Sequence, residues 1–275
     1  MNDPRPRIVL ALGAGGRRGV ALAAVLDRLH QESIPLDAIL GCSVGGIVGA
    51  LYTAAGTDPG VLIEDARRLG PGALFTLAAA RWGLAPRGPA GAAGAGPLAR
   101  AVGRLERASF ETLHFGVRRF GVLALDLLSR RILLIEGGPG RAASLSIARA
   151  VAATSAIPGI FPPVAARIAG RSRLLVDPGW FTAVPVEHAF APPIAARRVI
   201  AVDLSLLSCP RQARRRYWDR LRESCGDRLL ILRPRVRGCG TMISRPGDAA
   251  RLVEAGRESV DAAALRTLRS WIATP

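Results

Sequence analysis

Asp37-Ala38-Ile39-Leu40-Gly41-Cys42-Ser43-Val44-Gly45-Gly46-Ile47-Val48-Gly49-Ala50-Leu51 reads as a short apolar strand, a tight G-x-S-x-G turn and a small apolar helix. That layout is a nucleophile elbow, in which Gly41 and Gly45 let the backbone reverse without Cβ clashes and Ser43 projects from the turn. The following helix directs its N-terminal amides and positive dipole end toward the serine, which suits an acyl-transfer nucleophile. Cys42 is a rival nucleophile by position, but only the central residue of an elbow projects, so Cys42 is expected to pack away from the site.

Upstream, Ile8-Val9-Leu10-Ala11-Leu12 reads as a buried strand. Gly13-Ala14-Gly15-Gly16-Arg17-Arg18-Gly19 follows, and then Leu22, Val25, Leu26 and Leu29 at helical spacing. A glycine-rich loop between strand and helix turns several amides toward one point and can cradle a phosphate or an oxyanion. A P-loop is excluded because it needs a lysine and the chain contains none. A dinucleotide loop is poorly spaced, since its third glycine falls on Arg18. An oxyanion loop serving Ser43 is favoured, because the elbow arrives one helix later on the neighbouring strand.

In this order the two motifs resemble the patatin-like phospholipase family, whose pattern is a G-G-G-x-R/K-G loop, a G-x-S-x-G elbow and a late D-G-G/A. Here the corresponding residues are Ala14 to Gly19, Gly41 to Gly45, and Asp177-Pro178-Gly179. Ala124-Leu125-Asp126-Leu127, Ala150 to Val164 (AVAATSAIPGIFPPV), Val184-Pro185-Val186 and Leu232-Arg233-Pro234 also resemble family segments. The resemblance runs from about residue 7 to about residue 260, and the joint order of the motifs is more specific than any one of them.

The resemblance implies a three-layer α/β/α fold with a mostly parallel sheet, and a lipid acyl hydrolase or serine esterase using a Ser43–Asp177 dyad. It places the oxyanion donors at Gly15, Gly16 and the Arg17 amide, and gives Arg18 a role in holding the loop or a lipid phosphate. The departures are Ala14 at the first loop glycine, Thr182-Ala183 in place of an asparagine pair, and Pro178 after the aspartate. Proline removes an N–H and holds Asp177 extended, so the carboxylate is expected to be less well held and turnover slowed. The alternative is a non-catalytic patatin-like protein that binds lipid or a partner. A Ser43–Asp177–His188 triad is the mechanistic rival, but Ser43 follows the second strand, too early for an α/β-hydrolase.

The apolar setting of Asp177 (Leu174, Leu175, Val176, Trp180, Phe181) suits a carboxylate with a raised pKa that acts as a general base. The four cysteines show no C-x-x-C spacing, so neither zinc nor a disulfide framework is expected, and no cofactor is implied. All of the +17 charge comes from arginine, which favours anionic membrane surfaces. No nucleic-acid motif is present, and aromatics are 5%. Mean hydropathy is +0.25, yet no apolar run approaches the ~18 residues of a transmembrane helix. The N-terminus lacks a signal-peptide layout. The expectation is one domain over residues 1–275, cytoplasmic and peripheral at a membrane, binding lipid or acyl-ester substrate and no nucleic acid.

Helices are expected over 59–81 (with Asp58 and Pro59 starting it), 145–153, 211–222 and, as one long amphipathic element, 249–272. Strands are expected at 117–125, 131–135, 173–176, 199–204 and 229–232. The Pro/Gly/Ala stretch 81–97 reads as a mobile loop. In the arginine-rich helix, Tyr217 and Trp218 either meet a membrane interface or turn to the core.

Overall fold

The computed structural model describes residues 6–68, 97–204, 211–236, 238–240, 245 and 247–273. Its centre is β1, Ile8–Leu12, buried at every position as a non-alternating apolar run requires of a central parallel strand. Period-two geometry sends Ile8, Leu10 and Leu12 into one apolar cluster and Val9 and Ala11 into another. β1 pairs in parallel with β2 (Ala38–Gly41) and with β7 (Arg198–Val202). β2 extends to β3 (Arg119–Asp126) and β7 to β8 (Leu229–Leu232), again in parallel. Three antiparallel strands, β4 (Arg131–Gly137), β5 (Val164–Ile168) and β6 (Arg171–Val176), complete an eight-stranded sheet of order β5-β6-β3-β2-β1-β7-β8, with β4 on β3.

Helices cover both faces. One cluster joins the sheet to α1 (Val20–Gln31), α2 (Val44–Thr53), α3 (Pro59–Arg68), α4 (Pro97–Arg107), α5 (Ile147–Thr154), α8 (Asp248–Glu258) and α9 (Ala262–Ala273). The other joins it to α6 (Val186–Phe190) and α7 (Arg211–Cys225). The expected three-layer α/β/α arrangement with a mostly parallel sheet is therefore present. Among the described residues no helix is long and apolar enough to cross a membrane.

The register of β3 sets up the site. β4 occupies one of its edges. The other edge is shared: β2 pairs along Arg119 to Val122, and β6 pairs antiparallel at Leu125 and Asp126. β2 and β6 thus run head-on, ending opposite Val122 and Leu125 and leaving ~10 Å between their ends. Cys42-Ser43 enters that gap from one side and Asp177 from the other.

Asp126 fastens the junction. Its buried carboxylate accepts from the Leu174 amide (3.0 Å), the Ser129 hydroxyl (2.6 Å) and Arg173 (2.8 Å). Burial alone would raise its pKa, but these bonds and the Leu128 amide outweigh it and hold the carboxyl well below the usual range.

Several expected elements change. The single helix at 249–272 is two, because Asp261 starts a new helix by accepting from the Ala264 amide at 2.8 Å, while the Ser259 hydroxyl turns back to the Gly256 carbonyl. The faces expected to be apolar are still buried: Val253, Val260, Ala264, Leu268 and Trp271 all lie in the core. Helix α4 and strand β5 were not read from the sequence. Pro97, placed in the loop 81–97, is the first residue of α4, a position that needs no N–H; the rest of that loop, and the end of the expected 59–81 helix, lie outside the described residues. Asp58 accepts from the Gly60 amide at 2.8 Å, as an N-cap does. Trp218 is buried in α7, so of the two readings given for that aromatic it takes the core one.

Candidate active site

Ser43 joins β2 to α2 with φ 54° and ψ −125°, a left-handed conformation that costs a non-glycine residue of order 1–3 kcal/mol. Close packing enforces it. A Cβ on Gly41 would lie 2.4 Å from the Gly46 nitrogen, and one on Gly45 would lie 2.3 Å from the Leu12 carbonyl oxygen. The Ser43 amide donates to Thr154 Oγ1 at 2.9 Å, which ties the elbow to the end of α5. Cys42 is fully buried and its thiol donates to the Thr182 carbonyl at 3.2 Å. Burial first, and the nearby Asp177 second, push that thiol up, so it stays protonated.

Asp177 is 4% exposed, but Trp180 and Phe181, expected in its apolar setting, face outward instead. Its amide donates to the Ala156 carbonyl at 3.0 Å, and its Oδ1 accepts from the Gly179 amide at 2.8 Å. Burial pushes its pKa up to about 6, against the opposing hydrogen bonds from the Ser43 hydroxyl and the Gly179 amide. The structure therefore brings Ser43 and Asp177 together. Asp177 keeps a backbone donor despite the N–H missing at Pro178, because Gly179, one residue further on, supplies it. Pro178 itself starts a tight turn, its carbonyl accepting from Phe181 (2.8 Å) and Thr182 (2.9 Å).

In the glycine loop the Gly13 amide donates to Val202 and the Ala14 amide to Ala183. Among the described residues, the amides of Gly15, Gly16 and Val44 donate to no protein acceptor. Gly16 has φ 55°, which favours glycine, whereas Ala14 lies outside the left-handed region. Gly16 and Arg17 line the same cavity as Ser43 and Val44. Arg18 is buried, with Nε donating to the Cys239 carbonyl (2.9 Å) and Nη1 to Leu204 (3.4 Å). It clamps the loop to later segments, the first of the two roles expected of it.

The cavity beside Ser43 measures about 240 Å³. Val44, Ile47, Val48 and Leu51 line it at helical spacing along α2, facing Leu62 and Phe161. Asp65 and Arg104, 3.0 Å apart, are also in its wall. His188 sits half-buried on α6; burial lowers its pKa, and the charge acting on it is that of Glu187 rather than Asp177. No group of three or more His, Cys, Asp or Glu among the described residues could hold a metal ion.

Sequence reasoning missed Thr154 and the Gly179 donor, and gave the helix amides that include Val44 only as a group. Thr154 and Gly179 lay inside segments already singled out, but which atom they would bond depends on the sheet.

A family model described as patatin-like phospholipase matches residues 10–190, a span containing the loop, the elbow and Asp177. The chain belongs to the patatin-like phospholipase family. Lysophospholipase NTE1 of Cryptococcus neoformans var. neoformans is 48% identical over 62 residues, 22% of this chain and 4% of that protein. A patatin-like phospholipase domain-containing protein of Caenorhabditis elegans is 46% identical over 57 residues, 21% of this chain and 4% of its own length. The matched segments are thus small parts of those relatives. VipD from Legionella pneumophila has a similar fold, with TM-score 0.56 at 13% identity, covering 97% of this chain and 67% of VipD.

Proposed function

We propose that this patatin-like chain hydrolyses lipid acyl esters as a serine esterase, with Ser43 as nucleophile and Asp177 as general base. The observation that carries the reading is a left-handed serine on a strand-to-helix turn, hydrogen-bonded to a buried carboxylate of raised pKa and opening on an apolar cavity.

Asp177 takes the Ser43 proton as Oγ attacks the ester carbonyl. The charge that develops on the carbonyl oxygen is met by the amides of Gly15 and Gly16, joined by Val44, with the Arg17 amide adjacent; one such donor is worth about 3 kcal/mol in the transition state. Collapse breaks the ester C–O bond, and Asp177 returns the proton to the leaving alcohol. Water then attacks the acyl-Ser43 carbonyl, giving its proton to Asp177, and the fatty acid leaves as the serine is reprotonated. The apolar α2 stripe holds the acyl chain, each buried methylene adding ~0.8 kcal/mol.

A fluorophosphonate probe tests this. The chain is expected to label and the Ser43→Ala variant is not, with fatty acid released from phospholipid vesicles in parallel. Lipid binding with no labelling would leave the non-catalytic reading in its place.

A further inference from the structure

The most exposed large apolar side chains among the described residues are Phe181 (76%), Trp180 (72%) and Leu128 (63%). All lie at one end of the sheet. Trp180 and Phe181 stand on the turn that follows Asp177, and Leu127-Leu128 follow the C-terminal end of β3, the Leu127 amide donating to Leu174 on β6. Isolated exposed apolar residues are ordinary, but a tryptophan and a phenylalanine side by side on a hydrogen-bonded turn just after the candidate base are not.

The charge around them is mainly positive, with Glu187 and Asp219 as acidic exceptions. Arg130 and Arg131 are exposed on the β3–β4 turn. Because α7 crosses from β7 back to the parallel β8, its N-terminus lies at this same end of the sheet. Its first turn carries no acidic residue, and Arg215 and Arg216 are exposed in its second turn, Arg215 pairing with Asp219 at 3.7 Å. The 3.5 Å contact of Tyr217 with Glu187 ties that part of the helix to the segment after Phe181. Exposed arginines beside exposed aromatics, on a chain of charge +17, match an anionic interface.

We infer that this end of the sheet docks on an anionic phospholipid bilayer, with Trp180 and Phe181 entering the interfacial layer and the arginines meeting the headgroups. The inference deepens the lipid-hydrolase reading and takes its lipid substrate from it, but vesicle binding can be measured without turnover. Docking in this pose sets the Ser43 cavity next to the lipid from which an acyl chain would be drawn.

The test uses the Ser43→Ala chain and flotation with vesicles of phosphatidylcholine alone or mixed with phosphatidylglycerol. Binding is expected on the anionic vesicles, weaker on the neutral ones and falling with salt. Trp180→Ser with Phe181→Ser should lower the partition coefficient about tenfold or more. In the catalytic chain the same double variant should keep hydrolysis of soluble p-nitrophenyl butyrate while losing hydrolysis of vesicle lipid. Brominated lipid should quench Trp180, and Leu127→Ser with Leu128→Ser should give a smaller loss of binding. Unchanged partition in the Trp180/Phe181 variant, equal binding to neutral and anionic vesicles, or loss of self-association instead of vesicle binding would overturn the docking surface. Vesicle binding by a chain that does not label with fluorophosphonate would support docking and sink the hydrolase reading.

Discussion

The Gly179 amide donates to Asp177 Oδ1 at 2.8 Å, closing a turn across Pro178. The carboxylate is thus oriented by a residue that the proline leaves free to donate. Pro178→Gly is expected to give no gain in turnover. It should lower stability by about 0.4–1 kcal/mol, because glycine widens the unfolded ensemble. A urea midpoint and a kcat measurement check this, and a rise in kcat would mean that the proline does weaken the hold on Asp177.

Asp177 has a folded pKa of about 6 against an ordinary 3.8. As a base it works deprotonated, so kcat/KM should rise with pH toward about 6 and level off above it. Ser43→Ala and Asp177→Asn should each abolish ester hydrolysis, while His188→Ala should leave most of it. A His188→Ala loss as large as that of Ser43→Ala would return the triad.

The same shift has a thermodynamic side. The folded state holds the Asp177 proton more tightly than the unfolded chain does. The stability this contributes is fully present below pH ~4 and is lost as pH rises through about 6. Asp177→Asn keeps an acceptor for Gly179 and removes the buried charge. It is expected to raise the melting temperature at pH 8, by up to about 3 kcal/mol of stability, with the gain vanishing near pH 4. Equal melting curves at pH 8 would show the carboxylate to be better solvated than its burial implies.

Asp126 behaves in the opposite sense. Its depressed pKa contributes stability above the ordinary carboxylate pKa, lost as pH falls below it. Asp126→Ala strands Arg173 and releases the Leu174 amide, and should cost about 3–5 kcal/mol. Because these bonds pin β6 to β3, fluorophosphonate labelling of Ser43 should weaken at denaturant concentrations where the global fold persists. Full labelling in that range would separate the β6 anchor from the site.

The cavity along α2 gives a further expectation. Ile47→Trp should fill it, lowering kcat/KM for p-nitrophenyl palmitate about tenfold or more relative to p-nitrophenyl butyrate. A parallel loss on both esters would place the acyl chain elsewhere.

Local patterns made much of this legible in the sequence. Five apolar residues in a row at Ile8–Leu12, stopped by a glycine loop, read as a strand covered on both faces, and glycines spaced around Ser43 mark a reversal that larger residues would block. Those signals depend on neighbours a few positions away, so periodicity and sterics read them directly. The helix break at Ser259–Asp261 and the start of α4 at Pro97 escaped because a cap acts at one residue, and the apolar spacing runs on across it. The meeting of Ser43 with Asp177 is of another kind. It arises because β2 stops opposite Val122 and β6, running the other way, stops opposite Leu125. The raised pKa of Asp177, the use of Arg18 as a clamp, the inward turn of Trp218 and the exposure of Trp180 and Phe181 all follow from what the sheet and its helices cover. Burial and register between residues more than a hundred positions apart are set by the packed chain, and no local pattern encodes them.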